Sequence, residues 1–224
     1  MKTGILTKIG QLMLILSVFL SFLPLIIYWC KRLAENKSYM VISIFWMING
    51  ILYLPDIFNW AWYVPITDHI TLYYNLFDAP IICLIFYYAF NKRLFLYLIV
   101  SFLIFEGLVI SWKGFNAESN SINIGVGCLL CLIMNMWGIN GYLKKVKHTE
   151  SETVLVYVFA GFIFYYGLCV DIVLLSKYLN LSGTQRNYML LINYTAIFLA
   201  TVLISYGFWK YAKPPFDKNA ISKY

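Results

Sequence analysis

The chain has 224 residues, of which 62% are hydrophobic and 12% are charged. Soluble domains carry about 25% charged residues, so this composition excludes a soluble globular protein and indicates an integral membrane protein. The formal net charge of +7 does not indicate a nucleic-acid partner. Its Lys and Arg residues cluster between apolar runs, where such residues orient membrane proteins.

Seven apolar runs follow one another along the chain, each close to the ~20 residues that a membrane-spanning helix needs. The first run has Lys2 and Lys8 ahead of it and continues to Trp29, so we interpret it as a retained helix and not as a cleaved signal peptide. The runs are continuous and lack the alternation typical of a membrane β-barrel. We therefore predict an all-α, polytopic seven-transmembrane-helix bundle in a lipid bilayer. It forms one domain over residues 1–224, with spans at 9–30, 39–60, 70–91, 94–113, 122–144, 153–177 and 187–211.

The distribution of Lys and Arg predicts the orientation of the bundle. The segments after spans one, three, five and seven contain twelve of these residues, and the opposite side contains five. Because the positive side of a membrane protein faces the cytoplasm, we expect the N-terminus outside and the C-terminus cytoplasmic. The expected location is the plasma membrane, which is the inner membrane if the source is bacterial.

Acidic and amide side chains concentrate in the outer half of the predicted bundle. Asp78 lies eight residues into span three, about 12 Å deep, and Asn75 lies one turn above it at i,i+3 spacing. Intramembrane polar groups turn toward one another or toward a watery cavity. We predict an outward-facing cavity anchored by Asp78 and closed below by aromatic side chains such as Phe86, Tyr87 and Tyr88. The candidate ligand-binding residues are Asp78, Glu106, Asn75, Asn193, Asp171 and Asn49.

No Lys, Arg or His lies deep in the outer half of any predicted span, so these acids lack a buried salt-bridge partner. Asp78 can be protonated, ionised beside a bound cation, or ionised in a hydrated vestibule. A small polar or cationic ligand fits the second state. The structural alternative is a protonated Asp that donates to a neighbouring carbonyl or Tyr, with the Asn residues as interhelical hydrogen-bonding groups.

Two segments resemble microbial rhodopsins. Span seven reads MLLINYTAIFLATVLIS and span three contains LYYNLFDAPIICL. In that family an Asp precedes the retinal lysine by four residues in the seventh helix, and a carboxylate counter-ion precedes a proline in the third. By this resemblance Asn193 matches the Asp, Ile197 matches the lysine, and Asn75 or Asp78 matches the counter-ion. A Schiff base needs a lysine amine, so the resemblance implies a lysine-less relative with no covalent retinal, and we expect no cofactor.

Several functions remain open. The favoured one is a sensor- or receptor-like protein that signals to a cytoplasmic or membrane protein partner. A cation- or proton-coupled transporter is the first alternative, although no inverted repeat is visible, and a non-catalytic subunit of a larger complex is another. An enzyme is disfavoured, since both His residues lie in predicted loops on opposite sides. That leaves an acid pair of Asp78 and Glu106 as the remaining catalytic candidate.

Cys128 and Cys131 have the spacing of a metal-binding or redox pair, but no second pair of cysteines accompanies them. We therefore predict that they pack in the core and do not bind a metal.

Overall fold

Eight helices make up most of the described structure. The computed structural model describes the backbone of residues 2–33, 36–58, 64–178 and 183–212, and the side chains of 8–33, 36–58, 73–116, 118–170 and 188–212. The helices are α1 Lys2–Ser21, α2 Leu23–Cys30, α3 Lys37–Phe58, α4 Val64–Phe90, α5 Leu94–Lys113, α6 Ala117–Leu143, α7 Glu150–Tyr178 and α8 Gly183–Tyr211.

Seven segments are long and apolar enough to cross a membrane, which confirms the predicted all-α bundle of seven spans. Together α1 and α2 supply the first. The segments are Lys8–Cys30, Lys37–Phe58, Tyr73–Phe90, Leu94–Lys113, Glu118–Leu143, Glu150–Val170 and Tyr188–Tyr211. The chain is therefore a multi-pass membrane protein.

A turn at Phe22 divides the first span, which corrects the prediction of one helix over 9–30. Pro24, in the first turn of α2, has no N–H to donate, and its ring clashes with the carbonyl four residues earlier. The Phe22 N–H instead donates to the Phe19 carbonyl at 3.2 Å. This turn brings the Phe22 ring so close to α3 that a β-carbon at Gly50 would lie 3.0 Å from it. The break in the first span therefore lets the Phe22 ring pack against Gly50 of α3.

Helix α6 begins at Ala117, five residues before the predicted span. Asn116 caps it, because its side-chain oxygen accepts hydrogen bonds from the N–H groups of Glu118 at 2.9 Å and Ser119 at 3.1 Å. The Ser119 hydroxyl accepts from the Asn116 N–H at 3.2 Å, which completes a capping box. Hydropathy marks where a helix enters lipid, whereas caps mark where it starts, so the two boundaries differ.

The helices pack in chain order and close into a ring. The first span contacts α3, α3 contacts α4, α6 contacts α7, α7 contacts α8, and α8 returns to α1 and α2. Helix α5 contacts α4 and α6, which also contact each other. It has the smallest buried share of the seven spans, so it lies at the periphery of the bundle.

Aromatic side chains fill the middle of the bundle. Trp46 of α3 stacks on Phe162 of α7 with ring centroids 5.9 Å apart, and Phe86 of α4 stacks on Phe159 of α7 at 4.8 Å. All four rings are buried. Of the three aromatics predicted to close the cavity, Phe86 lies in this core, while Tyr88 is exposed. The prediction was wrong for Tyr88, because consecutive helix positions point about 100° apart.

One end of the bundle, which we call the basic end, carries Lys31, Lys92, Lys145 and Lys210. There Lys31 caps the last helix: its ammonium donates to the carbonyl of Ala212 at 3.0 Å, to that of Phe208 at 3.4 Å, and to that of Trp209. A cation at a helix C-terminus meets the negative end of the helix dipole and satisfies carbonyls that have no partner within the helix. Lys31 thereby ties the first span to the last.

Replacing Lys31 with alanine should lower the free energy of unfolding by about 1–2 kcal/mol, since charge-assisted hydrogen bonds to a helix terminus are lost. Lys147→Ala is the matched control, because Lys147 is exposed in the loop after α6 and should change stability by less than about 0.5 kcal/mol. Unfolding of the purified variants in mixed micelles measures both. Equal losses for the two variants would contradict the capping role.

Candidate functional site

The predicted site residues lie on five helices. Asn49 lies on α3, Asn75 and Asp78 on α4, Glu106 on α5, Asp171 on α7 and Asn193 on α8. The side chain of Asp171 lies outside the described residues. The other five divide between two interfaces, one at the centre of the ring and one against peripheral α5.

Asp78 joins α4 to α7 at the centre of the ring. The Tyr166 hydroxyl donates to the Asp78 carboxylate at 3.1 Å. Tyr166 is 1% exposed, so its hydroxyl lies inside the bundle and does not face lipid. Among the described side chains, no Lys, Arg or His lies within salt-bridge distance of Asp78. A phenol neutralises no charge, so the carboxylate retains capacity for a proton or a cation.

Asn49 joins α3 to the same face of α4. Its side-chain amide donates to the Phe45 carbonyl at 3.1 Å and to the hydroxyl of Tyr74. Tyr74 precedes Asp78 by four residues, so the phenol and the carboxylate share one face of α4. Two polar contacts, one to α3 and one to α7, thus flank this part of α4.

Asn193 ties α8 to α3 and α7. Its amide donates to the Tyr53 hydroxyl at 3.1 Å, and its carbonyl oxygen accepts from the Cys169 thiol at 3.9 Å. Tyr53 lies four residues after Asn49 on α3, and Cys169 lies three residues after Tyr166 on α7. Each pair shares a helix face. We call the combined set the polar network; its members are Asn49, Tyr53, Tyr74, Asp78, Tyr166, Cys169 and Asn193.

An aromatic layer adjoins the polar network. Phe45 of α3 packs against Tyr74 at 6.4 Å and edge-on against Phe162 of α7 at 5.5 Å. Tyr53, Tyr74 and Asp78 are each half-buried. The polar network therefore keeps some accessible surface beside this aromatic layer.

The composition of the polar network suits a cation better than an anion. The network contains one carboxylate, three phenols and two amides, and aromatic faces attract ammonium groups. The indole N–H of Trp46 has no hydrogen-bond partner among the described residues. Within the same part of the chain, no group of three His, Cys, Asp or Glu could hold a metal ion.

Asn75 and Glu106 belong to the second interface. Asn75 donates to the Asn120 side chain of α6 at 3.4 Å, whereas Asp78 bonds to α7. Positions three apart on a helix differ by about 60° in direction, which is enough for Asn75 and Asp78 to meet different neighbours. Glu106 lies on α5, which packs on α4 and α6. These two residues therefore lie apart from the contacts that join α4 to α7.

Sequence reasoning missed the tyrosines of the network. Tyr53, Tyr74 and Tyr166 were not among the candidate ligand-binding residues. One signal was present: Tyr53 and Tyr74 each lie four residues from a candidate polar residue, Asn49 and Asp78 respectively. A phenol at that spacing on a buried face is placed to extend a polar contact.

Among the described residues, three apolar cavities lie away from the network, and two of them border α2. One is lined by α2 and α3, including Trp29 and Met47; one is lined by α2 and α8, including Cys30 and Trp209. The third lies at the basic end near Trp137 and Lys145. None includes a residue of the polar network.

Comparison of the chain with known families, curated proteins and solved structures finds no match. The resemblance to microbial rhodopsins thus stays a prediction, and the molecule is described by its own geometry, a seven-span membrane bundle with a polar network between α3, α4, α7 and α8.

Proposed function

We propose that the protein is a sensor-like membrane receptor whose polar network binds a small cationic or polar ligand beside Asp78. The observation that carries the proposal is the environment of Asp78, a half-buried carboxylate that accepts a hydrogen bond from Tyr166 and has no Lys, Arg or His within salt-bridge distance among the described side chains. An ionised carboxylate away from water requires a compensating charge. A ligand ammonium group would supply that charge, and Asn49 and Asn193 would orient it.

Signal output would follow from the helices that meet at the ligand. Asp78 and Tyr166 connect α4 with α7, while Asn193 connects α8 with α3 and α7. A ligand that contacts these helices together can favour one relative arrangement of them over another. Their basic ends would transmit the change to a protein partner in the membrane or the cytoplasm.

Ligand binding can be tested with simple amines. In purified protein, methylammonium, tetramethylammonium or benzylammonium should raise the melting temperature saturably, and uncharged tert-butanol should not. Asp78→Asn should weaken the amine effect roughly ten- to hundredfold, since a charge-assisted contact is worth about 1.5–3 kcal/mol. Asp56→Asn, an exposed acid on α3, is the control and should retain it. No amine effect, or one that survives Asp78→Asn unchanged, would contradict the proposal.

A carrier for protons or cations is the second candidate, favoured by Glu106, a second buried acid on a separate interface. A transporter moves its substrate across the membrane, whereas a sensor only binds its ligand. The same amines, or protons, would accumulate in proteoliposomes that contain a carrier, whereas a sensor would bind them without net uptake. Radiolabelled methylammonium uptake against empty liposomes separates the two functions.

The proposed ligand would enter from outside the cell, on the side opposite the basic end. Cysteines introduced at two exposed loop residues can test this orientation. Phe115, after α5, is 41% exposed, and Val146, after α6 at the basic end, is 97% exposed. An impermeant maleimide on intact cells should label Phe115→Cys above the wild-type level and label Val146→Cys only after lysis. The reverse pattern would place the basic end outside.

A further inference from the structure

Helices α4, α5 and α6 meet closely at Gly127. A β-carbon at this position would lie 3.2 Å from the Phe102 ring of α5 and 3.4 Å from the Ala79 methyl group of α4. Because glycine has no side chain, the three helices can approach to this distance. Gly127, Phe102 and Ala79 are therefore level with one another in the bundle.

One turn farther from the basic end, the same three faces carry polar residues. Helices α4 and α6 run toward the basic end and α5 runs away from it. Asn75 and Asn123 precede Ala79 and Gly127 by four residues, and Glu106 follows Phe102 by four. Each step is about 6 Å along the axis and keeps the helix face. This register brings Asn75, Glu106 and Asn123 to one level.

Glu106 and Asn123 are buried without partners. Glu106 is 3% exposed and Asn123 is 1% exposed. Neither carboxylate oxygen of Glu106, and neither polar atom of the Asn123 amide, has a hydrogen-bond partner among the described residues. Buried polar groups are almost always paired, and an uncompensated buried carboxylate is costly. Two such groups at one level of one interface indicate a missing common partner.

The charges around Glu106 do not supply that partner. Lys113, two turns along α5, is paired with Glu118 of α6 at 2.9 Å. On α4, the Asp78 carboxylate is bonded to Tyr166. The Cys128 thiol, next to Gly127 on α6, carries no positive charge in either protonation state. Within the described part of the chain, the Glu106 carboxylate thus lacks a protein cation.

We propose that Glu106 and Asn123 form a second binding site, for a small monovalent cation, between α4, α5 and α6. The cation is either a proton on Glu106 or a sodium ion held by the carboxylate oxygens and the Asn123 carbonyl oxygen. Hard cations take such oxygen ligands. A single positive charge matches a single carboxylate, whereas a divalent ion would leave net charge in the hydrocarbon region.

This site is separate from the proposed ligand site. Its residues lie on α5 and α6, and the polar network lies on α3, α4, α7 and α8. Loss of the cation site should therefore leave amine binding at Asp78 in place, and loss of Asp78 should leave the cation site in place. The two proposals can fail independently.

The test compares purified protein in sodium, potassium and choline chloride at equal ionic strength. For a sodium site, Na⁺ raises the melting temperature above the other two salts, and Glu106→Gln weakens apparent Na⁺ affinity at least tenfold. For a proton site, the salts do not differ, and infrared spectroscopy at neutral pH shows a carboxylic-acid carbonyl band that Glu106→Gln removes. Asp56→Asn, the control, should change neither signal.

The absence of both the sodium effect and the Glu106-dependent carboxylic-acid band would overturn the proposal. If Glu106→Gln does not fold, Asn123→Leu provides a second variant that keeps the carboxyl group. It removes the amide, so the Na⁺ increment should shrink or the carboxylic-acid band should shift. An unchanged increment or band in Asn123→Leu would equally overturn the site.

Discussion

Replacing Gly161 with leucine should separate α7 from α8 and lower the free energy of unfolding by about 3 kcal/mol or more, at the upper end of overpacking effects. A β-carbon at Gly161 would lie 2.9 Å from the backbone carbonyl oxygen of Ala200 and 3.0 Å from the Ile204 side chain. A backbone carbonyl in a helix cannot swing aside as a flexible side chain can. The added atoms must therefore push one helix away from the other.

The effect should be large because this interface is built from small residues. Ala196 and Ala200 of α8 are fully buried, and their four-residue spacing gives α8 a smooth face. In a bilayer, helices gain no hydrophobic energy by leaving lipid, so close packing of small residues provides much of their association. Helices α7 and α8 share the largest interface among the described helices.

A graded series distinguishes this packing from a general glycine effect. Gly161→Ala should destabilise the bundle less than Gly161→Leu. Gly107→Leu is the matched control, since a β-carbon at Gly107 would meet nothing within 4 Å and the residue faces outward. Unfolding in mixed micelles gives the free energies. Equal stability of Gly161→Leu and Gly107→Leu would show that the close approach does not support the fold.

The number and type of helices could be predicted from the sequence because hydropathy is a property of each segment by itself. The break at Pro24 could also have been inferred, since proline has a local effect. Grouping the polar residues was harder. Asn75 lies three residues from Asp78 on α4, but the rotation of about 60° between the two positions turns Asn75 toward a different neighbouring helix. Sequence periodicity does not fix that rotation when lipid-facing and core-facing residues are both apolar.

Asn123 illustrates a second reason. It lies one residue inside the predicted fifth span, where an amide is expected at the membrane boundary. Because α6 begins at Ala117, Asn123 is instead two turns into the helix and buried at 1% exposure. The early start depends on the Asn116 cap, a local contact that a hydropathy profile does not contain. Placing the start of this helix about one turn too late therefore made the buried Asn123 look like a residue at the membrane boundary.

The bond between Tyr166 and Asp78 should show a coupling free energy of about 1–3 kcal/mol in a double-mutant cycle. Tyr166→Phe removes only the hydroxyl that donates to the carboxylate at 3.1 Å. The ring, which packs on Phe162 at 6.0 Å, stays in place. Asp78→Asn removes the charge with little change in volume. Tyr166→Phe leaves the carboxylate without its donor, whereas Asp78→Asn leaves the hydroxyl an amide oxygen as acceptor but removes the charge. The double variant should therefore lose less stability than the two single losses added together.

Tyr165→Phe provides the matched control for this cycle. Tyr165 precedes Tyr166 on α7, is 7% exposed, and packs against it with ring centroids 4.9 Å apart. Its hydroxyl makes no hydrogen bond to Asp78 among the described contacts. Its coupling with Asp78→Asn should therefore stay within about 0.5 kcal/mol. Unfolding free energies of the variants measure both cycles. Equal coupling for Tyr165 and Tyr166 would mean that Asp78 responds to general packing, and the Tyr166 hydroxyl would then have no special part in orienting the carboxylate.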